Sequence, residues 1–130
     1  MKWVTHISGT ILMVILLAKA MPIRMDFILA AIAGSILPDL IESLLGIQHR
    51  STIFHNYLAG IALLLLGIGA DWILGLGFGY LHHLVLDSIT RKGVFFLNKR
   101  IYGSLNTNEA IDNLAVLGIH AVVVVPFALL

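Results

Sequence analysis

The chain has 130 residues, 59% of them hydrophobic and 12% charged, with a mean hydropathy of +1.00. Soluble domains carry about 45–50% apolar and about 25% charged residues, so this composition points to one membrane-embedded domain over residues 1–130. At a net charge of +1, no basic patch argues for nucleic acid, which is not expected as a partner. The lack of cysteine excludes disulfides and thiolate–metal sites, so any metal must be held by nitrogen and oxygen.

In chain order, five apolar segments separated by polar breaks predict helices over residues 5–20, 26–45, 56–70, 72–89 and 109–130. The first has the outline of a secretory signal, with Lys2, an apolar run over 7–17, and Ala18-Lys19-Ala20. Thr5, His6, Ser8, Gly9 and Thr10 make its leading part polar, so it reads instead as a first membrane helix. Asp26 is placed to cap the second helix, and Pro38 to kink or end its main part. Gly67, Gly69, Ala70 and Asp71 mark a tight turn, and Thr107 and Asn108 stand where caps for the last helix belong.

The expected fold is all-α, a compact polytopic membrane helix bundle of about five helices. A crossing needs about 20 helical residues, so the shorter segments imply local thinning or partial insertion. One continuous span over 57–86 would give four helices, but would leave Asp71 near mid-bilayer at high cost. With five crossings, Lys2, Arg50, Arg91, Lys92, Lys99 and Arg100 share one side, against Lys19 and Arg24 on the other. The positive-inside rule makes the first side cytoplasmic, in a multi-pass protein of the cytoplasmic membrane.

His83 and Asp87 stand four apart in an apolar stretch, which on a helix sets an imidazole and a carboxylate on one face. Neither belongs in hydrocarbon without a partner. Alone, the two could simply pair and cap a helix end. Asp39 after Pro38 could be an ordinary turn residue, and His49, Arg50 and His55 a solvated loop drawn to acidic headgroups. Five crossings, however, bring His6, Asp39, His49, His55, His83 and Asp87 to one membrane face. Imidazole and carboxylate suit zinc, with manganese or iron as alternatives, and a two-metal site needs a bridging carboxylate that Asp87 or Asp39 can supply.

Four further features bear on that cluster. Gly75 and Gly79 precede His83 at four-residue steps, as Ala30 and Gly34 are spaced; they serve either general helix packing or a close approach to a ligand-bearing neighbour. His82 points about 100° away from His83 and is expected to face an interface or bond locally. His120 lies about 16 Å along its helix from Glu109, too deep for ligation at the surface. Glu109 is either a favourable first-turn carboxylate or an outer contact of the site.

At these residues the chain resembles the YdjM-like family of predicted membrane-bound metal-dependent hydrolases. The matching pieces are Thr5-His6-Ile7, Gly34-Ser35-Ile36-Leu37-Pro38-Asp39, His49-Arg50 followed by His55, and Gly79-Tyr80-Leu81-His82-His83-Leu84-Val85-Leu86-Asp87, then Thr90 and Gly93. Ser104 with Glu109 loosely resembles a later element. More distantly, the motifs are similar to those of zinc-dependent phospholipases C and related single-strand nucleases, whose helical core holds a cluster of zinc ions. The resemblance implies His6, Asp39, His55, His83 and Asp87 as ligands, with His49 as a further candidate. Phe54 and Asn56 stand where the family usually has Thr and Ser, and the interval from His49 to His55 is longer, so the pattern does not choose between these two histidines.

The reading is a membrane-bound metal-dependent hydrolase, acting on a phosphoester in a phospholipid or lipid-linked substrate. It would hold one to three divalent ions, zinc first, on His6, Asp39, His49, His55, His83 and Asp87. Asp39 or Asp87 would accept the proton of the attacking water, and Arg50, with Lys92, would contact phosphate. The alternative is a non-enzymatic membrane protein with a structural metal or polar cluster that docks a cytoplasmic protein partner. An ion or proton pathway through Asp71 and His120 ranks last, because the polar groups gather at one face.

Overall fold

The computed structural model describes residues 1–129. Six helices and one small sheet make up the described residues: α1 (Trp3–Ala20), α2 (Met25–Gly34), α3 (Leu37–Leu45), α4 (Tyr57–Leu66), α5 (Asp71–Ser88), β1 (Val94–Phe96), β2 (Lys99–Ile101) and α6 (Ala110–Leu129). The chain is thus mostly helical, with two departures from the all-α, five-helix expectation.

First, the second apolar segment is two helices bent by 50° at residues 35–36. The break precedes Pro38, which sits in the first turn of α3, where a missing N–H costs no helical bond. Asp26 is not the cap of α2 but lies in its first turn, accepting from the Phe27 N–H. Second, the connection between α5 and α6 contains an antiparallel hairpin pairing Val94 with Ile101 and Phe96 with Lys99. Strands of three residues are too short for alternation to reveal.

By length and composition, α1 and residues 110–127 of α6 are long and apolar enough to cross a membrane, and the bent α2–α3 pair would make a third span. Helices α1 and α6 run parallel: Thr5 bonds Asn113 at one level, and Gly9 approaches His120 at the next. Helix α5 runs opposite to α1, so Thr10 meets His82 while Leu17 and Met21 lie near Asp71 and Leu74. Many large apolar side chains face outward, among them Leu66, Ile68, Ile111 and Val122, each more than 70% exposed.

The contact that positions the site is α2 against α5. A Cβ on Gly75 would lie 2.3 Å from Phe27 O, and one on Gly79 only 1.9 Å from Ala31 O. Both positions therefore require glycine, and the two backbones touch at matching four-residue steps. The next step pairs His83 with Ser35, whose carbonyl accepts from Nδ1 at 2.7 Å. The close approach is to α2, which carries none of the candidate ligands; Asp39 stands on α3, beyond the bend.

Candidate metal centre

Four side chains from three regions meet at one end of the bundle. Helix α3 presents Asp39, the 46–56 loop presents His55, and the last two turns of α5 present His83 and Asp87. All four are buried. The bend before α3 releases the Ser35 carbonyl to His83 and turns Asp39 inward.

Hydrogen bonds fix the histidine tautomers. A carbonyl only accepts, so His83 Nδ1 carries the proton given to Ser35 O, and neutral His83 has its lone pair on Nε2. His55 Nδ1 likewise donates to Glu42 Oε1 at 2.8 Å, leaving its lone pair on Nε2. These two Nε2 atoms face each other at 3.3 Å. Asp39 Oδ1 and Asp87 Oδ2 point into the same space with no hydrogen-bond partner.

The separations are regular. His55 Nε2 lies 3.2 Å from Asp39 Oδ1 and 3.6 Å from Asp87 Oδ2. His83 Nε2 lies 3.7 Å and 3.5 Å from the same two atoms. A tetrahedral ion with ligands at about 2.0–2.2 Å has ligand–ligand edges of about 3.3–3.6 Å. Arg50 Nη2, 2.9 Å from Asp87 Oδ2, offsets part of the negative charge here, and a cation among the four atoms would offset the rest. This buried group could hold a metal ion.

Surrounding groups orient the donors. Glu42 accepts from the Ser51 N–H at 2.8 Å and its hydroxyl at 2.7 Å, as well as from the Arg50 N–H and His55. This carboxylate–imidazole relay is the usual support of a ligating histidine. Trp3 Nε1 donates to Asp39 Oδ2 at 3.1 Å. The α-amino group of Met1 donates to Asp87 Oδ1. Burial pulls the His55 pKa down, but the Asp39 and Glu42 carboxylates outweigh it and raise it above the ordinary imidazole value. At His49 burial wins over the Asp39 carboxylate and lowers the value.

The other sequence candidates take distinct places. His6 is buried and stacks on His83, with ring centroids 3.9 Å apart. Its Nε2 lies 3.4 Å from Asp87 Oδ1, and neither ring nitrogen has a hydrogen-bond partner. His49 is half exposed, 3.5 Å from both Asp39 Oδ1 and Glu42 Oε2, and forms a second group with them. Arg50 is buried, with Nη1 donating to Thr90 Oγ1 at 2.8 Å and Gly93 O at 3.1 Å. Its Nη2 lies 2.9 Å from Asp87 Oδ2 without hydrogen-bond alignment, and Nε has no partner. Lys92 is exposed in the loop after α5.

Three residues stand apart from the centre. His82 bonds Thr10 at 2.8 Å and His120 at 3.2 Å, tying α5 to α1 and α6. Glu109 accepts from Asn106 Nδ2 at 2.7 Å and is exposed, as a local contact. Glu42 was missed by the sequence reading, although it follows Asp39 by three residues and so shares its helix face. Comparison with protein-family models, curated proteins and solved structures finds no match to this chain, and the functional reading stands on the site itself.

Proposed function

We propose that this protein is a multi-pass membrane hydrolase whose metal centre cleaves a phosphoester at the cytoplasmic membrane face. The observation that carries the proposal is the buried tetrahedron of His55 Nε2, His83 Nε2, Asp39 Oδ1 and Asp87 Oδ2. Zinc suits this nitrogen and oxygen set and its edge lengths best. The proposed topology has five crossings, with α1 and α6 starting at the same end as the centre. That end is placed in the cytoplasm by its excess of Lys and Arg.

Metal held there would lower the pKa of bound water towards about 7 and offset charge on phosphoryl oxygens. The chain's own groups would do the rest. Asp87 would hold the ion through Oδ2, while its Oδ1 accepts from the Met1 α-amino group and lies 3.4 Å from His6 Nε2. His6, with both ring nitrogens unpartnered, would serve a second ion. Asp39, whose Oδ1 lies 3.2 Å from His55 and 3.5 Å from half-exposed His49, would accept the proton of the attacking water. Arg50 holds Asp87 and turns an unpartnered Nε to the interior. The membrane position would leave acyl chains in lipid while a headgroup reaches the centre.

A second reading has its own observation. Four buried protein donors can close a metal's coordination shell, as in structural zinc sites, whereas catalytic zinc keeps a position open. Detergent-purified protein, loaded with zinc or manganese and assayed on phospholipid, lipid-linked and nucleotide phosphoesters, separates the two. Hydrolysis that needs metal and is lost in Asp39→Asn supports the enzyme. Bound metal without turnover on any class supports the structural site.

A further inference from the structure

We infer that the connection between α5 and α6 is a docking element for anionic phospholipid, built from the β1–β2 hairpin and the cavity at its base. The inference rests on the membrane placement proposed above, and it is independent of catalysis. Residues 89–105 contain Arg91, Lys92, Lys99 and Arg100 and no acidic residue. All four cations are exposed, and none forms an ion pair among the described residues. Near an anionic membrane surface each such residue adds to the attraction towards the headgroups.

The hairpin also exposes apolar surface, Phe96 and Leu97 at its turn and Ile101 and Tyr102 at its base. Phe96, Leu97, Ile101 and Tyr102 are 43%, 56%, 44% and 69% exposed. Leu97 occupies the turn with φ 53°, a left-handed conformation that glycine or asparagine adopts at less cost. A leucine there weakens the turn and gives nothing to the protein interior, so its use lies outside. Aromatic and aliphatic side chains beside lysine and arginine are the composition of an element lying in a bilayer interface.

Beneath the hairpin a cavity of about 210 Å³ is lined by Arg91, Lys92, Leu105, Asn106, Thr107 and Asn108. Arg91 and Lys92 supply the cations that suit a phosphate-bearing headgroup, while Asn106 is turned to Glu109, its Nδ2 donating at 2.7 Å. The hairpin is tied to the metal centre at its base, since Phe95 N–H donates to His55 O at 2.7 Å and Gly93 O accepts from Arg50. Docking would thus hold the centre at headgroup level.

The test uses the full chain, which has no cysteine. Leu97→Cys and, separately, Asn98→Cys are labelled with an environment-sensitive fluorophore. The protein is placed in nanodiscs of phosphatidylcholine with or without phosphatidylglycerol. Expected are a blue shift and protection from an aqueous quencher in the anionic discs, both lost when Lys92, Lys99 and Arg100 are all changed to glutamine. Helical content measured by circular dichroism identifies any variant that fails to fold, and for it high salt replaces the charge change. Equal quenching in both discs would overturn the inference, and so would protection that persists in detergent, which would mean docking on protein. Neither readout needs metal or turnover, so failure here leaves the hydrolase proposal to its own assay.

Discussion

The α2–α5 and α1–α6 contacts are both parallel helix pairs in an apolar chain, yet they are made of different materials. Between α2 and α5 the backbones touch, because Gly75, Gly79 and Gly34 leave no space for a Cβ. Between α1 and α6 side chains do the joining: Thr5 donates to Asn113 Oδ1 at 2.8 Å, and His120 reaches α1 through His82 and Thr10. Gly118 of α6 faces open space. In lipid, apolar burial gives helices little reason to associate, so close packing and polar contacts must supply it. The chain uses close packing next to the buried His83 and Asp87, and polar ties between the two helices that supply none of the four clustered side chains.

The largest stability effect expected is at Gly79. In Gly79→Ala the new methyl meets the Ala31 carbonyl, which α2 cannot withdraw without shifting Ser35 and hence His83. Overpacking of this kind costs about 1–3 kcal/mol. Thermal unfolding in detergent should fall accordingly, and metal content should fall with it. A silent Gly79→Ala would erase the contrast between the two helix pairs.

A smaller effect is expected beside the donors. Glu42→Gln keeps the size of the side chain but removes the carboxylate behind His55. Loss of such a support typically weakens metal binding about 10–100-fold, measurable by competition with a chelator. Unchanged affinity would mean that His55 is not a ligand.

On the α1–α6 side, Asn113→Ala removes the bond to Thr5, worth about 0.5–1.5 kcal/mol. It should lower unfolding temperature while leaving affinity at the tetrahedron unchanged, since neither helix supplies one of its four donors. The smallest effect is expected for Gly118→Ala, within about 0.5 kcal/mol, because its Cβ meets nothing within 4 Å.

Much of the centre is legible in the sequence because its donors break an apolar background. Asp39, His83 and Asp87 stand out in this way, and the fold brings them together at one end of the bundle. The helix boundaries follow the polar breaks for the same reason. What sequence does not disclose depends on three-dimensional neighbours. Glu42 reads as a solvated carboxylate until the 46–56 loop folds over it and brings His55. Trp3 gives no sign of reaching Asp39. Pro38 announces the bend in the second segment, but the break falls at residues 35–36 because the proline is accommodated in the first turn of α3. The hairpin hides because Val94–Phe96 and Lys99–Ile101 are too short for a period to show. His82 announces an interface, but its partners Thr10 and His120 lie on helices far away in sequence.

The central claim is that His55, His83, Asp39 and Asp87 form one metal site. Its most direct test is the metal content and X-ray absorption spectrum of protein purified without chelator, beside the double variant His83→Ala with Asp87→Asn. The account predicts a stoichiometric transition metal, zinc, with nitrogen and oxygen neighbours at about 2.0–2.2 Å and no sulfur. It predicts loss of that metal in a double variant that keeps its helical content. A folded wild-type protein without stoichiometric metal, or a double variant that still binds it, would contradict the account.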